Sequence, residues 1–121
     1  MSTTHSVQVI TTDELRARLA SGDVAEFWNV LTDDYFTGEF IPGSARVPLD
    51  RLGREVAHRG LAKDSAIVVY CSGPTCPQSG QAAAKLVALG YTNVRAYEGG
   101  LAHWKEAGLP IDRHEAAAAT A

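Results

Sequence analysis

The sequence predicts an α/β domain built on a mainly parallel sheet with helices on both faces. Three observations carry this. Short runs of β-branched and aromatic residues (Val7 to Ile10, Ala25 to Val30, Ala45 to Val47, Ile67 to Cys71, Asn93 to Tyr97) alternate with stretches of helical spacing. The connections between them are short, a rhythm that brings strands together in parallel. Ile67 to Cys71 is apolar throughout, and Ala25 to Val30 nearly so, as strands covered on both faces are.

Each element has its own local reason. Thr11 and Glu14 form a capping-box pair, with Thr11 as N-cap, and open a helix. Leu15 and Leu19 share one face of that helix, and Ser21-Gly22-Asp23 ends it. Leu31 to Phe40 reads as a loop anchored by Tyr35 and Phe36, followed by a turn at Ile41 to Ser44. Pro48 suits the first position of a short helix through Leu52, and Glu55 to Leu61 reads as a second weak helical turn. Ala82, Ala83, Leu86 and Val87 repeat at helical spacing, and Gly90 stands where a C-terminal cap belongs. Gly99-Gly100 turns into a last helix bearing Leu101, Trp104 and Ala107, closed by Gly108 and Pro110. Residues 1–6 are expected to form a flexible N-terminus, 7–112 one domain, and the alanine-rich 113–121 a disordered tail.

Composition limits the function. At 121 residues one domain is the natural reading. A net charge of −3 gives no reason to invoke nucleic acid or an anionic membrane. The apolar runs are too short to span a bilayer, and the N-terminus lacks a secretory pattern. Two cysteines make no disulfide framework, so a reducing, cytoplasmic setting is expected. No Cys/His cluster has zinc spacing, so neither metal nor cofactor is expected.

The chemistry gathers around the stretch from Cys71 to Ser79. Cys71 ends a strand, Ser72-Gly73-Pro74-Thr75 is a turn, and Cys76-Pro77-Gln78-Ser79 opens a helix, with Cys76 as N-cap if Pro77 is the first helical residue. Loop N–H groups and a helix N-terminus together favour an anion. A thiol held there is expected to ionise easily. Cys71 could instead be a buried apolar residue, but its place at a strand end argues for chemistry. For Cys76 a chemical and an incidental role both stay open. Trp104 reads as core, His58 and His103 as solvent-facing, and Arg46 and Arg95 as surface charge.

The order of these features resembles the rhodanese-like domain family. The run from Ile67 to Cys71, the loop, Gly90-Tyr91, Asn93-Val94, Glu98-Gly99-Gly100, Trp104 and Ala107 to Pro110 all match in sequence. Ile41-Pro42-Gly43 with Val47-Pro48-Leu49 matches an upstream segment, so the likeness runs over about residues 7 to 111. The resemblance implies a five-stranded, mainly parallel sheet and sulfur transfer through a cysteine persulfide on Cys71. It implies a small sulfur donor and a thiol or protein acceptor as partners.

The departures are specific. The family loop commonly reads C-x-x-G-x-R-S, whereas here glycine comes early and Cys76 stands where arginine is usual. Aligned from the helix, Gln78 takes that place, and no Lys or Arg occurs before Lys85. Thiosulfate is therefore not the expected donor. The family's Asp-Val-Arg appears as Asn29-Val30-Leu31, and Phe40 replaces a common histidine. Two other classes stay in play: a partner-binding or sensor module without turnover, and a Cys71/Cys76 redox switch. Cys76 could also resolve a Cys71 persulfide by attacking its inner sulfur and expelling hydrosulfide; against this, Pro74 and Pro77 are expected to hold the sulfurs apart as two free thiols. A Cys-x5-Arg phosphatase is excluded, because position 77 is proline.

Overall fold

The structure, a computed structural model, describes residues 8–113. The strands are β1 (Gln8–Val9), β2 (Glu26–Asn29), β3 (Glu39–Phe40), β4 (Ala45–Arg46), β5 (Ile67–Tyr70), β6 (Val94–Tyr97) and β7 (Asp112–Arg113). The helices are α1 (Thr12–Ser21), α2 (Leu52–Arg59), α3 (Gln78–Ala88) and α4 (Gly100–Glu106). One five-stranded sheet runs in the order β1-β6-β5-β2-β4, parallel throughout. Strand β5 lies at its centre, and Ile67–Tyr70 is buried on both faces.

Strand alternation divides the core in two. Ile67 and Val69 point to one face, where Leu52 and Val56 of α2 and Ala82, Ala83 and Leu86 of α3 cover them with Trp28. Val68 and Tyr70 point to the other, against Leu15 of α1 and Leu101 and Trp104 of α4. The expected two-sided cover is therefore present. Each fully buried leucine, such as Leu15, Leu52 or Leu86, contributes about 2–3 kcal/mol.

The helix ends follow the local chemistry. Thr11 Oγ1 accepts from the Glu14 N–H at 3.2 Å, and Glu14 Oε1 accepts from the Thr11 N–H at 2.9 Å. The Thr11 N–H, with the Thr11 hydroxyl beside it, holds the Glu14 carboxyl below its ordinary range. At the far end of α3 the Tyr91 N–H reaches the Leu86 carbonyl at 3.1 Å and the Gly90 N–H reaches Val87 at 3.0 Å. This paired pattern closes the helix and delivers Tyr91 into the core.

Two expectations change. Leu31 to Phe40 is not wholly loop, because Glu39–Phe40 forms β3 and pairs antiparallel with β7. Arg113, expected to begin an unanchored tail, lies in β7 opposite Glu39 and makes an ion pair with it at 2.9 Å. Lys105 of α4 meets the same carboxylate. Such two-residue strands carry no period that a sequence can display; they exist because α4 and the Glu39 segment come together in space. The expected flexible residues 1–6 and the tail beyond Arg113 lie outside the described residues.

Tyr70 ties the sheet to the turn before β4. Its buried hydroxyl accepts from the Ile41 N–H at 2.9 Å and meets Ser44 Oγ at 2.6 Å. Tyr70→Phe keeps the ring but leaves the Ile41 N–H unmatched inside the core. We expect a loss of about 1–3 kcal/mol in urea unfolding. A loss below a few tenths would show that the hydroxyl does not hold this turn.

Candidate active site

Cys71 follows the last residue of β5, at the carboxyl end of the central strand. The chain then bends through residues 72–77 into α3. Pro77 is the N-cap and Gln78 the first helical residue, so Cys76 stands one place farther out than expected. Proline at the cap leaves the helix entrance without a side-chain cap bond. The loop is fastened from behind by α4: the Cys71 carbonyl accepts from the Leu101 N–H at 3.1 Å, and that of Ser72 from Ala102 at 2.9 Å. Those bonds satisfy donors that the first turn of a helix otherwise leaves open. Gly100 makes the approach possible. With φ +57° it takes a left-handed turn, and a Cβ there would lie 2.4 Å from the Cys71 carbonyl oxygen.

The two thiols sit in opposite environments. Cys71 is completely buried, and its Sγ donates to the Cys76 carbonyl at 3.3 Å. Burial and the adjacent Cys76 thiol push Cys71 above the ordinary thiol range, against the hydroxyl and N–H of Ser79, which stabilise its thiolate. The expected easy ionisation of Cys71 is thus reversed, because desolvation outweighs the helix entrance. Cys76 is half-buried. Burial raises it too, but the Cys71 thiol, the Gln78 and Ser72 backbones and the Ser72 hydroxyl together bring it below the ordinary range. Both thiols are free. This is the expected pair of free thiols, and the contact that joins the two residues is the bond from Cys71 Sγ to the Cys76 carbonyl.

Two adjoining clefts open over the loop. The first, about 380 Å³, is bounded by Leu31, Tyr35 and Gln81 together with Ser72, Thr75, Cys76, Pro77 and Gln78. The second is bounded by Pro74, Thr75, Cys76, Pro77, Gly80, Gln81, Ala84 and Glu98. Cys76 faces both, and Cys71 lines neither. Neither cleft is lined by Lys or Arg, and the second carries a carboxylate. Gly73 is buried with a Cβ position 3.1 Å from Ala102, and Ser79 is buried with its hydroxyl unpartnered.

Several assignments shift with this geometry. Gln78, the alternative stand-in for the family arginine, instead grips Thr32, accepting from its N–H at 3.1 Å and donating to its Oγ1 at 3.0 Å. Tyr35 is not an anchor but an exposed cleft wall. Phe36 lies beneath the Arg46 guanidinium, 4.0 Å away. Arg46 is no surface charge: half-buried, it donates to the Leu31 carbonyl, to Asn29 Oδ1 at 3.3 Å and to Asp33 at 2.8 Å. Asn29 Oδ1 also accepts from the Leu31 N–H at 3.1 Å. Asn29 and Arg46 thus brace the end of β2 against the segment that follows it. Arg95, by contrast, bonds Asn93 within and beside β6, and His58 and His103 are exposed. Leu31, Gln81 and Glu98 went unread as site residues, since only the fold brings them to the loop.

A family model described as the rhodanese-like domain matches residues 11–107. The chain belongs to the rhodanese-like domain family. It is 29% identical over 105 residues to a sulfurtransferase of Allochromatium vinosum, covering 87% of this chain and 94% of that protein. It is 30% identical over 103 residues to an HTH-type transcriptional regulator of Mycobacterium tuberculosis. That match takes in 85% of this chain but only 44% of the regulator, so the chain spans under half the length of that relative. Among solved structures, the thiosulfate sulfurtransferase of Pseudomonas aeruginosa superposes with a TM-score of 0.76 at 32% identity, over 88% of this chain and 20% of that one. The rhodanese-like fold and a sulfurtransferase-type family are therefore established for this rhodanese-like domain. No helix among the described residues is long and apolar enough to cross a membrane.

Proposed function

We propose that this rhodanese-like domain is a sulfurtransferase that stores a sulfane sulfur as a persulfide on Cys71 and delivers it to a thiol acceptor. The observation that carries the reading is the setting of Cys71. It stands at the carboxyl end of the central strand, with the N–H and unpartnered buried hydroxyl of Ser79 at the adjacent helix entrance. Those donors suit a persulfide anion, which is more acidic than the thiol it replaces. The thiolate attacks the sulfane sulfur, and the donor's remaining group departs with the bonding pair. Both thiols must be reduced for this chemistry, as a cytoplasmic setting keeps them.

The donor follows from charge. Without a cation and with Glu98 at the rim, the clefts suit a hydropersulfide or polysulfide better than the thiosulfate dianion. A missing charge-assisted contact is worth about 1.5–3 kcal/mol. Thiosulfate should therefore load the protein roughly ten- to a hundredfold more slowly than glutathione persulfide. The test incubates the protein with either donor, removes the excess by gel filtration, and weighs the intact protein and its peptides. One retained sulfur on Cys71 supports the reading. No retained sulfur from any donor overturns it, and equal rates from both donors overturn the donor preference.

A further inference from the structure

Cys71 lines neither cleft, whereas Cys76 faces both, and the Cys71 thiol lies directly behind the Cys76 backbone. An incoming sulfur donor therefore meets Cys76 first. We propose that Cys76 is the entry thiol of a two-cysteine relay: it takes the sulfane sulfur from the donor in the cleft and passes it inward to Cys71. This rests on the reading of Cys71 as the storage site.

The steps need neither oxidant nor reductant. In the first, the Cys76 thiolate attacks the outer sulfur of a hydropersulfide R–S–SH. A Cys76 Sγ–S bond forms, the S–S bond of the donor breaks, and R–S⁻ leaves with the electron pair. In the second, Cys71 Sγ attacks the outer sulfur of Cys76–S–SH. A Cys71 Sγ–S bond forms and the Cys76 Sγ–S bond breaks, its pair returning to Cys76. The proton released by Cys71 ends on Cys76. The sum moves one sulfur inward and one proton outward.

Three features favour this direction. Cys76 is the more acidic thiol, so at the cleft it gives up its proton more readily than Cys71 and is the better leaving group in the second step. Cys71 is the more basic thiol and holds its sulfur in a dry site. The buried Ser79 hydroxyl beside Cys71 is unpartnered and stands where it can donate to a sulfur anion on Cys71. The relay also accounts for a cysteine at a position where the family commonly has arginine. A thiolate captures sulfur covalently, where a guanidinium would hold an oxyanion.

The test is a short pulse of glutathione persulfide, quenched by alkylation and read by peptide mass. In the unsubstituted protein, sulfur should be found on Cys76 first and on Cys71 later. Cys76→Ser should slow Cys71 loading by at least about tenfold. Cys71→Ala should carry sulfur on Cys76 during the pulse and lose it on gel filtration in excess thiol. Circular dichroism of both variants checks that the fold is kept. A native pulse of iodoacetamide on the unsubstituted protein needs no variant: it should label Cys76 first and thereby block loading of Cys71. Normal Cys71 loading in Cys76→Ser, or first labelling of Cys71, overturns the relay while leaving Cys71 as the storage site. Sulfur on neither cysteine of the unsubstituted protein overturns both.

Discussion

Gly100→Ala is expected to unfold much of this protein's margin of stability. The left-handed backbone at φ +57° alone costs a non-glycine residue about 1–2 kcal/mol. The added methyl would also lie 2.4 Å from the Cys71 carbonyl oxygen and 2.9 Å from the Gly73 nitrogen. Both are backbone atoms of the cysteine loop and cannot swing aside, so overpacking adds roughly 1–3 kcal/mol. The sum, about 2–5 kcal/mol, is a large part of what a small domain has. Gly108→Ala is the matched comparison. Its φ is +76°, but nothing lies within 4 Å of its Cβ position, so only the backbone term applies. Urea unfolding of the two variants should separate them by the collision alone. Equal losses would mean that the loop and α4 yield freely, and that the bonds from Leu101 and Ala102 do not fix Cys71 in place.

Cys71→Ser is expected to abolish stored sulfur while leaving the fold intact. A serine hydroxyl can still donate to the Cys76 carbonyl that now accepts from the thiol at 3.3 Å. Its oxygen is too poor a nucleophile to form the sulfur bond. After donor removal in excess thiol, retained sulfur should fall at least about a thousandfold, the scale of losing a nucleophile. Thermal unfolding should move by only a few degrees. The comparison with Cys76→Ser matters, because that variant should retain the sulfur it does acquire. Full retention in Cys71→Ser, together with loss in Cys76→Ser, would transfer the storage role to Cys76.

The sheet, its parallel sense and the strand-loop-helix unit around Cys71 were legible in the sequence because they rest on local rules. Apolar runs such as Ile67 to Tyr70 declare buried strands. The Thr11/Glu14 capping box and the Leu86, Val87 and Gly90 pattern mark helix ends through bonds made within a few residues. The β3–β7 pair was not legible, since two-residue strands have no period and form only when distant segments meet. The order of the thiols in acidity was not legible either. Local position puts both cysteines near a helix entrance, which favours ionisation of each. Tertiary burial then separates them: Cys71 is sealed beneath the loop by α4, and Cys76 is left at the cleft. Desolvation acts only where water is excluded, and which atoms are excluded is settled by packing between segments far apart in the chain. The same holds for Arg46, whose partners Leu31, Asp33 and Phe36 lie on a different connection. By itself the sequence determined where the chemistry sits; the tertiary structure decided which sulfur faces solvent and which is kept dry.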